Sequence, residues 1–282
     1  MNPASVELVR TSIKYRKKRD RMIESMNNAQ VKRIVKLKKS SRFRRQERVF
    51  IVEGFKMAEE GLIHGLVQTM YVAESAGEEY FSKLSHTIGK ENIEWVSDAV
   101  FRQFSDTASP QGVLAVVRMP EYDREKMLAE EGAALVCLED IQDPGNLGTI
   151  IRTAEGAGMS GVVLSRGCVD LFNPKVVRST MGALYRMPYY ITEDLSTEVE
   201  CLKRRGFQMA AARLDAELDF THADYRGKTG LLIGNEARGL CSETTEKADV
   251  GVKIPMEGQL ESLNAAVSAA LLMYEIHRQR GQ

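Results

Sequence analysis

The sequence of 282 residues lacks the usual marks of a secreted, metal-binding or membrane protein. Its four cysteines are widely spaced and form no Cys-x-x-Cys pair, which argues against a disulfide framework and against a zinc site. Its four histidines are scattered, and no apolar run approaches the roughly 20 residues of a transmembrane helix. We therefore expect a metal-free protein of the reducing cytoplasm, long enough for two domains.

The net charge is zero, but the charge is unevenly distributed. Residues 1–48 contain 16 Lys or Arg against four acids, a balance of +12, so the remainder carries −12. A basic segment on an acidic body is typical of nucleic-acid binding, although a solvated charged face has the same composition. Arg42, Arg44 and Arg45 at the end of this segment are candidate nucleic-acid contacts.

The first part of the chain predicts a small α/β module at residues 26–118, preceded by a basic tail or extension at 1–25. Apolar residues at near-helical spacing from Asn27 predict a helix. Further elements predicted here are strand Val49–Gly54, helix Phe55–Gly61, strand Thr69–Ala73, a helix near Gly77–Ile88, a strand near Glu94–Val96 and strand Val113–Val117. The polar segment 119–132 is interpreted as an interdomain linker or a linking helix.

Residues 133–282 predict a second α/β domain with a mostly parallel, Rossmann-like sheet. The predicted strands are Leu135–Leu138, Gly161–Leu164, Met209–Ala212, Gly230–Ile233 and Val250–Ile254, with helices between them. After the first strand, Asp143-Pro144-Gly145-Asn146 predicts a turn, and Leu147–Gly156 predicts a helix that carries Arg152.

Two later strands also run into loops that carry polar groups. Leu231–Ile233 leads into Gly234-Asn235-Glu236, and Ile254 is followed by Pro255, which stops a strand. Ser262 or Asn264 then caps a helix of small residues, Ala265–Leu272. Because open α/β sheets bind ligands at the carboxyl ends of their strands, these loops predict a binding site.

Together, the segments around Asn146, Glu236 and Asn264 resemble the three signature motifs of the SpoU (TrmH-type) RNA ribose 2′-O-methyltransferases of the SPOUT superfamily. The resemblance covers roughly residues 26–276. It implies a methyltransferase domain with a deep trefoil knot, and an amino-terminal RNA-binding domain similar to certain ribosomal proteins. It also implies S-adenosylmethionine as the cofactor, RNA as the partner, and a homodimer formed through the carboxyl-terminal domain.

The same resemblance assigns roles to individual residues. The catalytic candidates are Arg152, Asn146, Glu236 and Asn264, and the cofactor-binding candidates are Gly234, Ile254, Met256 and Leu263. The RNA-binding candidates are Arg178, Arg238 and Ser262, in addition to Arg42, Arg44 and Arg45 of the basic segment. No metal is implied. The third motif departs from the common Ser-Leu-Asn-Val-Ser pattern, since Asn264 is followed by Ala265-Ala266, which removes one possible hydroxyl contact.

Several roles remain open at the level of sequence. Arg152 is expected either to activate the ribose hydroxyl or to hold an RNA phosphate, and its structural alternative is an ion pair with Glu155. Glu236 is expected to anchor Arg152 or Asn264. Arg238 either contacts a phosphate or is solvated.

The implied reaction is methyl transfer to a ribose 2′-hydroxyl, with 23S-type ribosomal RNA favoured as the substrate by the additional amino-terminal domain. The alternatives are a tRNA methyltransferase and a non-catalytic RNA-binding or ribosome-assembly protein. A nucleotide-dependent oxidoreductase is disfavoured, because no Gly-x-Gly-x-x-Gly follows the first strand of either predicted domain.

Overall fold

A computed structural model of the chain describes residues 22–76, 92–260 and 262–281. It divides into two compact units, one ending at Pro120 and the other beginning at Glu121. The predicted helix near Gly77–Ile88 and residues 1–21 of the basic segment lie outside the described residues.

The first unit is built on a four-stranded sheet with helices on both faces. Its elements are α1 (Ala29–Lys39), α2 (Ser41–Glu47), β1 (Val49–Glu53), α3 (Phe55–Ile63), β2 (Val67–Ala73), β3 (Asn92–Val96), α4 (Asp98–Phe104) and β4 (Val113–Arg118). The strand order is β1-β4-β2-β3, in which β4 is antiparallel to both neighbours and β2 is parallel to β3.

The two faces of this sheet bury different helices. On one face Val31, Ile34 and Leu37 of α1 share a core with Val49 and Ile51 of β1, and α4 contributes to the same core. Because side chains alternate along a strand, the residues between them point to the other face, where α3 packs. The exposed side of α1 therefore faces away from the sheet.

The second unit contains a seven-stranded sheet in which every described pairing is parallel. Its strands are β5 (Ala134–Leu138), β6 (Gly161–Ser165), β7 (Tyr189–Thr192), β8 (Gln208–Ala212), β9 (Leu218–Asp219), β10 (Thr229–Ile233) and β11 (Val250–Lys253), in the order β7-β6-β5-β10-β8-β11-β9. The predicted parallel α/β sheet is thus confirmed. The edge strands β7 and β9 were not predicted, because both are short and only partly buried.

Helices connect these strands. They are α5 (Arg124–Ala129), α6 (Pro144–Gly156), α7 (Pro174–Ser179), α8 (Leu195–Arg204), α9 (Ser242–Lys247) and α10 (Ala265–Arg280). Helix α5 lies inside the segment 119–132, and its buried Met127 and Leu128 belong to the core of the second unit. None of the described helices is both long enough and apolar enough to cross a membrane.

The prediction of a turn at Asp143–Asn146 was wrong, because helix α6 already begins at Pro144. Asp143 is its N-cap, and its carboxylate accepts a hydrogen bond from the backbone N–H of Asn146, 2.8 Å away. Proline is tolerated at the first helical position because a backbone N–H at that position would have no acceptor within the helix. Asn146 consequently projects from the first turn of the helix.

Helix α7 packs very closely against helix α6. A Cβ atom at Gly148 would lie 2.4 Å from the Cβ of Ser179 and 2.7 Å from the carbonyl oxygen of Val176. Only glycine permits this approach, which places the helix of Arg178 against the helix of Arg152.

Candidate active site

The loops predicted to carry the chemistry begin side by side. Strands β5 and β10 are neighbours in the parallel sheet, and their last residues, Leu138 and Ile233, are paired in register. The loop after β5 and the loop after β10 therefore begin next to each other at the carboxyl edge of the sheet.

Glu236 connects these two loops through its carboxylate. Its Oε2 accepts a hydrogen bond from the backbone N–H of Gln142 (3.1 Å), and its Oε1 accepts one from the backbone N–H of Asp143 (3.0 Å). The same Oε1 accepts a third bond from the side-chain amide Nδ2 of Asn146, also at 3.0 Å. Three donors thus fix a carboxylate that lies on an otherwise exposed loop.

Asn146 extends the connection to the third motif. Its Oδ1 accepts a hydrogen bond from Nδ2 of Asn264 at 2.9 Å. The Oδ1 of Asn264 in turn accepts from the backbone N–H groups of Ala266 (2.9 Å) and Val267 (3.3 Å), so Asn264 is the N-cap of α10, as predicted. We call the connection Glu236–Asn146–Asn264 the amide relay.

The direction of every bond in the amide relay follows from its two ends. An ionised carboxylate only accepts hydrogen bonds, so Glu236 requires the NH₂ group of Asn146. Helix N–H groups only donate, so α10 requires the carbonyl oxygen of Asn264. The middle bond can then run only from Asn264 to Asn146, which is the direction found.

The hydrogen bonds favour the charged form of Glu236. Partial burial alone would raise its pKa, but donation from Asn146 and from the backbone of Gln142 and Asp143 outweighs burial and lowers the pKa below its ordinary value. Glu236 is therefore a charged anchor whose oxygens are occupied by the protein's own donors, which makes it a poor proton acceptor.

Asp140, in the loop after β5, connects that loop with the loop after β10, and this role was not predicted. Its backbone is left-handed (φ 54°), a conformation that Asp adopts more readily than most residues. Its carboxylate accepts from Ser165 Oγ at 2.7 Å, and its carbonyl oxygen accepts from Nδ2 of Asn235 at 2.7 Å. The loops after β5, β6 and β10 are thereby joined at one residue.

Gly234, a predicted cofactor residue, is required by the shape of its own loop. A Cβ atom at this position would lie 2.1 Å from the carbonyl carbon of Gly239 and 2.2 Å from the backbone nitrogen of Leu240. The Oδ1 of Asn235 accepts from the N–H groups of Ala237 and Arg238, which closes the turn.

Arg152 lies on α6, about two helical turns beyond Asn146, and its side chain is exposed. The proposed structural alternative, an ion pair with Glu155, is absent, because Glu155 pairs with Arg186 instead. Among the described residues, none forms a hydrogen bond or ion pair with the Arg152 guanidinium. Arg178 on α7 is likewise exposed.

The remaining candidates follow β10 and β11. Ile254, Met256 and Leu263 are half-buried, and Ser262 is exposed. The guanidinium of Arg238 lies 3.8 Å from a carboxylate oxygen of Asp140, and its side chain is 75% exposed. The ion pair with Asp140 therefore leaves most of the Arg238 side chain accessible to solvent.

In the first unit, the structure contradicts an RNA contact for Arg44. Its side chain is buried, and its Nη1 donates to the carbonyl oxygens of Leu37 (2.6 Å) and Lys38 (3.0 Å) at the end of α1. Sequence alone did not distinguish it from Arg42 and Arg45, which are exposed. Over the described ranges, no cluster of His, Cys, Asp or Glu is arranged to hold a metal ion.

Comparison with known proteins agrees with this geometry. The profile of the SpoU rRNA Methylase family matches residues 133–274, and that of the MRM3-like substrate binding domain matches residues 28–115. The chain is 34% identical over 257 residues to the 23S rRNA (guanosine(2553)-2′-O)-methyltransferase RlmP of Bacillus subtilis strain 168, covering 91% of this chain and 99% of that protein.

Two further similarities involve Streptomyces viridochromogenes. The chain is 31% identical over 238 residues to its 23S rRNA (uridine(2479)-2′-O)-methyltransferase, covering 82% of this chain and 83% of that protein. The crystal structure of its SpoU methyltransferase AviRb in complex with the cofactor AdoMet superimposes with a TM-score of 0.82 at 28% identity, covering 91% of this chain and 99% of that one.

The amide relay predicts a pH-dependent contribution of Glu236 to stability. In Glu236→Gln, the new amide offers one acceptor in place of two, and we expect a loss of about 1 kcal/mol in the free energy of unfolding at neutral pH. Because the folded-state pKa is lowered, this contribution is complete above the ordinary pKa of 4.5 and disappears as the pH falls through the lower folded value.

Chemical unfolding of both proteins at a series of pH values measures this difference. Glu246→Gln on α9 is the matched control, since Glu246 is exposed and has no partner among the described residues. A stability difference for Glu236→Gln that stays constant between neutral and strongly acidic pH would contradict the assignment.

Proposed function

The chain belongs to the SpoU rRNA methylase family, and from this premise we propose that it methylates the 2′-hydroxyl of a ribose in 23S-type ribosomal RNA, with S-adenosylmethionine as the methyl donor. The observation that carries the proposal is the amide relay, which brings all three predicted motifs together at the carboxyl edge of a parallel sheet. The names of two relatives, the 23S rRNA 2′-O-methyltransferases of Bacillus subtilis and Streptomyces viridochromogenes, support the choice of rRNA.

The residues after β11 fit a site for S-adenosylmethionine. Ile254, Met256 and Leu263 offer partly exposed apolar surface. The backbone N–H groups of residues 256–260 donate no hydrogen bond to any described residue, so they are available to a ligand. Apolar surface with backbone donors suits an adenine base and its polar substituents. When bound, S-adenosylmethionine supplies a methyl group carried on a positively charged sulfur.

Arg152 is proposed to position the RNA. A guanidinium stays protonated in proteins, so it donates hydrogen bonds and does not serve as a base. It matches the two oxygens of a phosphate well. We assign Arg152 to a phosphate next to the target ribose, which turns the 2′-hydroxyl toward the methyl group. The new O–C bond would form as the bond from the methyl carbon to sulfur breaks, so that a neutral thioether would be the leaving group and the hydroxyl proton would pass to solvent. Arg178, Arg238 and Ser262 are proposed to contact the same RNA.

Glu236, Asn146 and Asn264 are proposed to act together as positioning residues. Their polar atoms are occupied by the relay, and no proton transfer is assigned to them. They hold the loop of Gly234, the first turn of α6 and the start of α10 in one arrangement. We further propose that the loops after β10 and β11 form the trefoil knot of the family; its support is the match of residues 133–274 to the family profile.

We propose residues 26–118 as the RNA-binding domain, 119–132 as the connection and 133–282 as the methyltransferase domain. The profile matches at 28–115 and 133–274 support these bounds.

We also propose a cytoplasmic location; its support is that all four cysteines are free thiols.

A homodimer through α10 is also proposed. Within the unit, Leu272 and Ile276 are buried, whereas Val267, Leu271 and Tyr274 are 48%, 41% and 51% exposed. These three lie at positions i, i+4 and i+7, so they form one apolar stripe on the helix. A second copy of the chain is proposed to cover the stripe, with at least about 1,200 Å² buried in total.

The proposed reaction predicts a methyl group on the sugar of rRNA and a strict dependence on Arg152. We expect the purified protein to transfer the methyl group of S-adenosylmethionine to rRNA, and Arg152→Ala to slow transfer by about 10²-fold or more. Cofactor affinity should stay within a few-fold, because Arg152 is assigned to the RNA. Nuclease digestion followed by mass spectrometry locates the methyl group.

Arg204→Ala is the control, since Arg204 is an exposed helix arginine that forms no hydrogen bond or ion pair with a described residue. Methylation of a base would overturn the reaction, and full activity of Arg152→Ala would remove Arg152 from the site.

If α10 forms the dimer interface, substitution of one residue on α10 should dissociate the dimer. Leu271→Arg places a charge in the middle of the apolar stripe, and we expect it to yield a monomer near 31.5 kDa by light scattering, against about twice that mass for the natural chain. Ile63→Arg, at an exposed apolar residue of the first unit, should leave the mass unchanged. If the natural chain is itself monomeric and active, the dimer is not the functional unit.

A further inference from the structure

Nine basic residues lie from Lys32 to Arg48, and among them Arg33, Lys38 and Arg44 bind carboxylate or carbonyl oxygens of the fold. Arg33 forms an ion pair with Glu47, 2.9 Å away. Lys38 pairs with Asp106 at 2.7 Å and also donates to the carbonyl oxygen of Phe104. Arg44 is buried against the end of α1. These three cations are therefore not available to a polyanion.

Three other lysines form no ion pair with a described residue and lie along one side of α1. Lys32, Lys36 and Lys39 are exposed on α1 at positions i, i+4 and i+7, on the side opposite its buried residues. In the described part of the chain no carboxylate lies within ion-pair distance of any of them. Their Cα atoms are separated along the helix axis by about 6 Å and about 4.5 Å.

Helix α2 follows α1 directly and adds a fourth exposed cation. The Nζ of Lys36 lies 4.0 Å from the ring centroid of Phe43, which fixes the corner between the two helices. Arg42, one residue earlier, is exposed and has no partner among the described residues. We call Lys32, Lys36, Lys39 and Arg42 the α1 stripe.

We propose that the α1 stripe binds the phosphodiester backbone of the RNA substrate. A row of unpaired cations a few ångströms apart is complementary to a nucleic-acid strand, which carries a negative charge at every nucleotide. Lysine is a point charge without the planar fork that reads a base edge, so contacts of this kind position the RNA without reading its sequence. The inference rests on the proposed function, because it assumes an RNA substrate.

Charge removal on the stripe tests the inference in the full-length protein. The triple variant Lys32→Gln, Lys36→Gln and Lys39→Gln removes three charges. The matched control is Lys56→Gln, Lys126→Gln and Arg204→Gln, which removes three charges from exposed residues on α3, α5 and α8. The measurement is the affinity for a 23S rRNA transcript across a series of salt concentrations, together with methyl transfer.

For the stripe variant we expect the slope of log affinity against log salt to become shallower by about 2 to 3, because each phosphate contact contributes about 0.7 to 0.9. Its KM for RNA should rise while kcat at saturating RNA stays unchanged. The control variant should retain the natural slope. Equal changes in both variants, or none in the stripe variant, would overturn the inference.

Two further outcomes are distinguishable. In the first, the salt slopes of the natural protein and the stripe variant differ as expected, but the natural protein transfers no methyl group. The proposed function then fails, while RNA binding by the α1 stripe is supported. If the stripe variant instead loses binding to phosphatidylserine vesicles and keeps its RNA affinity, the surface faces a membrane and the inference is wrong. If the triple variant unfolds at a lower temperature than the natural protein, the double variant Lys32→Gln with Lys39→Gln replaces it, because that variant keeps the Lys36–Phe43 contact. Its slope of log affinity against log salt should become shallower by about 1 to 2.

Discussion

The site depends on one continuous set of hydrogen bonds, the amide relay from Glu236 through Asn146 to Asn264. It joins residues that are 90 and 118 positions apart in sequence. Its bond directions are fixed by a carboxylate at one end and helix N–H groups at the other, so neither amide can turn over without leaving a donor facing a donor. A partly exposed network with a single consistent polarity holds three loops more firmly than three separate contacts would.

The sheet makes this connection possible. Because β10 lies directly beside β5, the loops that follow them emerge together, and the carboxylate of Glu236 meets the backbone of Gln142 and Asp143. The loop of Glu236 is compressed to the point that only glycine fits at position 234. The loop after β10 is therefore held both by close packing at Gly234 and by the hydrogen bonds of Glu236, as expected of a binding site that is formed before its ligand binds.

Much of the second unit was predictable, because its buried strands are short apolar runs and Asn264 precedes an unbroken helical pattern. The start of α6 was misjudged although Asp143-Pro144 is a recognisable helix start. The relay partners were not predictable, since the Asn146–Glu236 and Asn146–Asn264 bonds depend on strand order. The sequence also could not separate the buried Arg44 from its exposed neighbours, because their difference arises only when α2 folds back on α1.

The most direct test of the relay is a cycle of three variants read by the dissociation constant for S-adenosylmethionine. Asn264→Asp keeps the helix cap but removes the donor to Asn146, and Glu236→Gln removes the carboxylate. In the double variant, Asn146 can turn over and donate to the new carboxylate at position 264, because its own oxygen then meets a neutral amide at position 236 instead of a carboxylate. We expect the double variant to lose less free energy of S-adenosylmethionine binding than the sum of the two single losses, by about 0.5 kcal/mol or more. Losses that add would contradict it.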